Sequence, residues 1–397
     1  MRPLKLKDWI LIGVLAFGLG LSSPYISGWL SGAPVAAAPD APPQDTEPIA
    51  SNPFTLKLLK AATLVQPEGN IILAPDSLAS TLQQMLPIAA PEVEKSLTDL
   101  GLPAEPQVSS APFRDAVCLF ADPAVGLHTE TELLYIAEAP FTQNPPQAFS
   151  TINLELQSLL GREIGTPANG ETINSNTNLL AFNGINIQLN WYCPISARNT
   201  TPAIFYNANG SAPLVHFMSA YTQHYAEDPQ GAWKAAAIRL DRSPRAMRNT
   251  PDCYLLLLQP CRESNAHTMA AELTPEQFSA IRTALRESSR SCTTRLPRLS
   301  FTGNVHSTIP LLKALGIDPL FTSAAPFAKL TDKTPWPFTT AWQYCRIVMK
   351  ESPEAAVERR QAPETAESFD CNRPFIWFLM PLSSPHAPYA MGIVENL

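Results

Sequence analysis

Apolar and polar residues alternate over Ile185, Ile187, Leu189 and Trp191 against Asn186, Gln188 and Asn190, which predicts one long strand from Leu179 to Trp191. Shorter apolar runs predict buried strands at Asn70–Pro75, Ala116–Phe120, Tyr254–Leu258, Trp342–Met349 and Arg373–Leu379, and a last one near Ala390–Asn396. Helical spacing puts Phe54, Leu58, Leu59 and Ala62 on one face, behind an Asn52 cap and Pro53 at the first helical position. Asp76-Ser77 is the expected cap of a helix through Leu78, Leu82 and Met85. Another helix starts at Pro91-Glu92-Val93 and ends at Gly101, a C-terminal glycine. An amphipathic helix is expected over Phe149–Leu160, through Ile152, Leu156 and Leu159. Thr274-Pro275-Glu276-Gln277 is a capping box that opens a helix through Phe278, Ile281 and Leu285. Helices gather early and strands late, without βαβ alternation and without an internal repeat, which is an α+β pattern.

The periodicity fails in one place. Between the apolar runs Trp342–Met349 and Arg373–Leu379 lies Lys350-Glu351-Ser352-Pro353-Glu354-Ala355-Ala356-Val357, followed by a polar stretch from Glu358 to Asp370. A long charged loop with small residues at its start therefore hangs between two buried strands. Long loops without their own secondary structure are uncommon in compact domains and usually carry function.

Composition narrows that function. The 397 residues are 45% hydrophobic and 16% charged, enough for a large core beneath a weakly charged surface. A net charge of −7 without a basic cluster argues against nucleic acid. The six histidines show no metal-ligand spacing, and no Gly-x-Ser-x-Gly, His-Glu-x-x-His or phosphate-loop pattern occurs. The chain is thus expected not to be an enzyme, and nothing calls for a metal or a cofactor. The seven cysteines are scattered, without Cys-x-x-Cys. Most are expected to be core thiols, with room for one or two disulfides in an oxidising compartment. Asn199-Thr200-Thr201 and Asn209-Gly210-Ser211 match glycan-acceptor triplets.

Arg2, Lys5 and Lys7 precede an apolar run from Trp9 to Leu21, the signature of export. Two outcomes compete for residues 1–32. Either they are a cleaved signal, with Ala36-Ala37-Ala38 near the cut, or residues 9–30 persist as a membrane anchor. Both place the folded part outside the cytoplasm, secreted, periplasmic or anchored. Residues 33–50 read as an Ala/Pro-rich linker, and residues 51–397 as one domain.

Several fragments, in order, resemble the serpins, a superfamily of serine protease inhibitors. Asn70 to Ser77 resembles the strand-to-helix start beneath the family's main sheet, and Asn183 to Trp191 resembles its central strand with the family's tryptophan. Leu296 to Phe301, Leu311 to Ile317 and Leu320-Phe321 resemble the passage before the loop. Glu354-Ala355-Ala356 resembles the hinge, Arg373-Pro374-Phe375 the strand that follows, and Met391-Gly392 the ending. The resemblance covers about Pro53 to Leu397. It implies an α+β fold with a large mixed or antiparallel main sheet, further sheets, a cluster of helices and an exposed reactive-centre loop. It also implies a mechanism. A protease cleaves the loop and is acylated, the loop inserts as a new central strand, and the trapped protease is deformed. By resemblance Ser77, Asn183 and Trp191 form the sheet-opening cluster.

Insertion demands small uncharged residues at alternate hinge positions. Ala355, Ala356 and Val357 meet that demand. Pro353 lacks a donor, and Glu358, Arg359 and Arg360 bring charge towards the sheet. Lys350 stands where the family has an acid, Ser352 where it has glycine, and Trp342 near the place of a histidine. The scissile bond is expected between Val357 and Glu367. Arg359 and Arg360 suit a trypsin-like pocket, whereas Ala362, Thr365 and Ala366 suit an elastase-like one, and the dibasic pair also reads simply as solubility. Two functions stay open: a suicide inhibitor of an extracytoplasmic serine protease, expected to be monomeric, and a non-inhibitory binding or storage protein of the same fold.

Overall fold

Asn52 caps the first helix as its sequence requires. Its Oδ1 accepts from Phe54 N at 2.9 Å, Pro53 follows, and α1 (Pro53–Val65) buries Phe54, Leu58, Leu59 and Ala62. The next helix corrects the expectation. After β1 (Ile71–Leu73), α2 (Pro75–Met85) begins before Asp76-Ser77 and has no side-chain cap. Pro75 has no N–H to satisfy and its φ is preset, so the turn starts there and leaves Asp76 and Ser77 inside it. α3 (Pro91–Thr98) runs out to Gly101, whose φ of 74° needs glycine.

In the computed structural model the described residues are 52–102, 113–127, 136–170, 176–241, 252–261, 265–323, 338–353, 367–383 and 387–397, with a few short stretches between. The expected signal or anchor (9–30) and the linker (33–50) lie outside them. Among the described residues no helix is long and apolar enough to cross a membrane.

The chain continues through β2 (Arg114–Ala121), β3 (Ile136–Glu138), α4 (Pro145–Leu160), β4 (Leu179–Gln188), β5 (Thr201–Ile204), β6 (Leu214–Thr222), β7 (His224–Glu227), β8 (Trp233–Arg239) and β9 (Tyr254–Pro260). It then forms α5 (Ala266–Glu272), α6 (Pro275–Glu287), β10 (Cys292–Pro297), β11 (Ser300–Ser307), α7 (Ile309–Ala314) and α8 (Pro319–Thr322). It ends with β12 (Thr340–Val348), β13 (Glu367–Asp370), β14 (Phe375–Met380) and β15 (Ala390–Val394). The capping box of α6 forms as expected, with Thr274 and Gln277 satisfying each other's backbone. Helices α5 to α8 are interleaved with late strands, so the expected segregation of helices from strands holds only for the first part.

Three sheets result. The main sheet has the order β11-β12-β4-β2-β3, with β12/β4 and β2/β3 parallel and the other pairs antiparallel. A six-stranded sheet runs β1-β15-β14-β9-β8-β7, and a four-stranded one β13-β10-β6-β5. Helices α1, α2, α5 and α6 supply Phe54, Leu82, Ala270 and Phe278 to one core. A second core, holding Trp191 and Trp377, also receives residues from all three sheets, among them Ile187, Leu257 and Phe369. Gly392 is needed in β15, because a Cβ there would collide with the Ile71 carbonyl across the strand pair.

Two strand expectations are corrected. The period-two pattern over 179–191 is two segments laid end to end. β4 stops at Gln188, and by Trp191 the chain has crossed to bridge Leu240, beside the six-stranded sheet. Asn190 O and Tyr192 N bond to Asp241 and Arg239 there. The alternation persists because each segment buries one face, each against a different partner. The polar stretch also ends sooner than expected. Glu367–Asp370 is strand β13, parallel to β10, with Phe369 buried and Asp370 paired to Arg295 at 3.2 Å. One apolar residue in four gives too little pattern to read. Cys118, Cys253, Cys292, Cys345 and Cys371 are buried thiols, as core positions require.

Candidate functional site

β12 and β4 lie side by side at the centre of the main sheet through nine consecutive pairs, from Thr340↔Leu180 to Val348↔Gln188. Because the two strands are parallel, a third strand could lie between them antiparallel to both. The chain that leaves β12 at Val348 is the polar segment that begins at Lys350, so the seam and the segment are covalently adjacent.

The start of that segment is fastened. Met349 N donates to Leu299 O at 2.9 Å, and Leu189 N to Val348 O at 3.1 Å. Trp191 Nε1 donates to Lys350 O at 2.8 Å. Ser352 N donates to Ile195 O at 2.9 Å, and Ile195 N donates back to Ser352 Oγ at 3.1 Å. Arg298 forms an ion pair with Glu351. Burial of Glu351 works against its charge, but the bond and charge of Arg298 and its own backbone outweigh it and hold the carboxyl below the ordinary range. An acid is thus paired at Glu351, next to Lys350, in the fastened start of the segment. Glu354, Ala355, Ala356, Val357, Arg359, Arg360, Ala362, Thr365 and Ala366 lie outside the described residues.

Beneath the seam, on the α2 side, polar groups are buried. Gln343 of β12 is fully buried, and its Oε1 accepts from Ala74 N at 3.1 Å. Its register partner on β4 is Asn183, also buried, whose Nδ2 has no hydrogen-bond partner. Ser77 Oγ donates to Ala116 O at 3.4 Å. Ser77 and Asn183 thus reach the same underside of the sheet, each with its own arrangement. Trp342, at the place where a histidine was expected, points into the apolar cluster under α4 with Leu180, Phe182 and Tyr344. It offers nothing to Asn183. Trp191 lies at the far end, over Lys350, and so does not join the other two.

Sequence reasoning missed Gln343, Arg298, Ile195 and the polar pair Asn186 and Arg346. A glutamine inside a mostly apolar strand was a usable signal. The others meet only across strands remote in sequence.

A family model described as Serpin (serine protease inhibitor) matches residues 128–397. The chain belongs to the serpin family. No curated protein matches its sequence. Among solved structures it is similar to Manduca sexta serine protease inhibitor (serpin)-12, at 16% identity and a TM-score of 0.71, over 87% of this chain and 98% of that one. Uncleaved ovalbumin gives 16% and 0.74, over 88% and 99%. SRPN18 of Anopheles gambiae gives 16% and 0.73, over 88% and 98%. At such identities the likeness concerns the fold. The family is one of serine protease inhibitors, and the serpin architecture accounts for the central seam and for the long connection from β12 to β13.

Proposed function

We propose that this serpin is an extracytoplasmic inhibitor of a serine endopeptidase, which cuts the segment after Pro353 and is trapped as that segment enters the seam between β4 and β12. The observation that carries the reading is the parallel β4/β12 pair with the segment springing directly from β12. An entering strand would add hydrogen bonds on both sides and bury apolar surface, which supplies a driving force. Ala355, Ala356 and Val357 are the hinge residues that go in first. Arg359, Arg360, Ala362, Thr365 and Ala366 are the candidates beside the scissile bond. Ser77 and Asn183 are the positions over which the sheet parts, and Trp191, over Lys350, stands where the segment first enters. The chain acts as bait and scaffold and catalyses nothing. Residues 1–32 export or anchor it.

A second reading is favoured by the hinge itself. Pro353 cannot donate to a ladder, Ser352 is fastened to Ile195, and Glu358, Arg359 and Arg360 carry charge towards a buried strand. In that reading the loop is cut as an ordinary substrate and the protein binds or stores. Incubation with trypsin and with elastase separates the two. Trapping gives an adduct that survives a denaturing gel, and a clipped protein that melts higher than the intact one. Clean cleavage without adduct and without a rise in Tm overturns trapping and leaves the second reading.

A further inference from the structure

The face of the main sheet opposite α2 is covered by α4. Ala148, Ile152, Leu156 and Leu160 of that helix pack with Ala116 and Phe120 of β2, Leu180 and Phe182 of β4, and Trp342 and Tyr344 of β12. At one end this apolar layer gives way to a polar row. Arg114, Asn186 and Arg346 are register partners across β2, β4 and β12. Asn186 is buried and fully engaged. Its Nδ2 donates to Leu160 O, in the last residue of α4, at 2.7 Å, and to Glu163 Oε1 at 2.8 Å. Its Oδ1 accepts from Arg346 Nη1 at 3.0 Å. Glu163 sits on the turn Arg162–Ile164 that follows the helix. Its own backbone N–H, Asn186, and the charges of Arg114 and Arg346 keep its carboxylate ionised.

One amide thus ties three things together: β4, β12 across the seam, and the C-terminus of the helix lying over them. A strand entering the seam would move β12 from one strand spacing to two, from about 4.8 Å to about 9.6 Å from β4. Arg346 would then be out of reach of Asn186. The apolar residues of α4 that pack with Trp342 and Tyr344 of β12 would have to shift as well.

We propose that Asn186, Arg346 and Glu163 form a latch that holds the β4/β12 seam shut, and that its rupture limits the rate at which a strand enters. This rests on the reading of the seam as the receiving site. Three polar side chains at the edge of an apolar layer would be a poor choice for stability alone, since each must stay paired. They suit a contact that is complete in one state and absent in the other.

The test uses the full chain and a fluorescent synthetic peptide with the sequence of residues 352–364. Its uptake is followed by native gel shift and by the gain in Tm. Arg346→Met keeps the aliphatic stem against the sheet and removes the donor. Glu163→Gln changes an exposed turn residue and serves if the first variant folds poorly. Uptake is expected to rise by about tenfold in Arg346→Met and about threefold in Glu163→Gln. Glu94→Gln, which breaks the remote surface pair with Lys329, is expected to take up peptide at the wild-type rate. Adding Arg346→Met to Asn186→Ala is expected to add nothing, because the partner is already gone. Peptide uptake at one common rate in all variants overturns the latch while leaving the seam as receiving site. Uptake in none of them overturns the receiving-site reading, and the latch with it.

Discussion

Asp76, in the first turn of α2, keeps a proton that the unfolded chain gives up. Burial first, and Asp115 second, push its carboxyl from 3.8 up to about 7. Between those values the folded state binds more protons than the unfolded state, so stability falls as pH rises through this window and is level above it. Asp76→Asn removes the slope. Urea unfolding at about pH 5 and about pH 8 is expected to show the variant's stability relative to wild type rising by about 2–3 kcal/mol from the lower pH to the higher. A difference that does not change with pH would show that burial of Asp76 is not penalised. The thiols give a second residue-scale expectation. Burial pushes Cys118 up to about 12 and Cys292 to about 11, and raises Cys253, Cys345 and Cys371 as well. A thiol reagent should label Cys193 and Cys261, which are partly exposed, in the native protein and the other five only after unfolding. Fast labelling of Cys345 in native protein would mean that the seam opens readily. At this scale the sequence showed which residues stand in notable places, such as Asn183 and Trp191. It did not show their partners: Lys350 O for Trp191, and none for the Asn183 amide nitrogen.

Elements whose start is signalled within a few residues were legible. The Asn52 cap and the Thr274 capping box are local bargains between a side chain and neighbouring backbone, and both form as read. The long strand over 179–191 was not, because alternation reports one buried face and not which sheet buries it. β13 was invisible because a parallel partner remote in sequence, β10, makes it a strand. The clasp between residues 350–352 and the 191–195 turn is also non-local, and it has its own test. Ser352→Gly removes the acceptor of Ile195 N–H, a bond worth about 1 kcal/mol, so amide exchange at Ile195 is expected to rise about fivefold. Exchange at Leu78, inside α2, should stay unchanged in the same experiment. Equal exchange at Ile195 in both proteins would show that the clasp does not hold the hinge in solution.

For the whole molecule, the question is whether the main sheet accepts a sixth strand. Three features bear on it together: the parallel β4/β12 pair, the polar underside of Gln343 and Asn183, and the fastened start of the segment. The adduct experiment reads their sum, and peptide uptake reads the seam alone. The order of motifs, from Asn70-Ile71-Ile72-Leu73 to Met391-Gly392, was enough by itself to determine the serpin fold. Such motifs encode caps, apolar faces and close approaches that any chain of this fold must satisfy locally. Only the tertiary structure decided that Arg346 and Glu163 both meet Asn186, that Arg298 meets Glu351, and that Trp342 faces α4 rather than Asn183. The physical reason is register. Which side chains face each other across strands 160 positions apart is set by the packing of the whole sheet, and no local pattern records it.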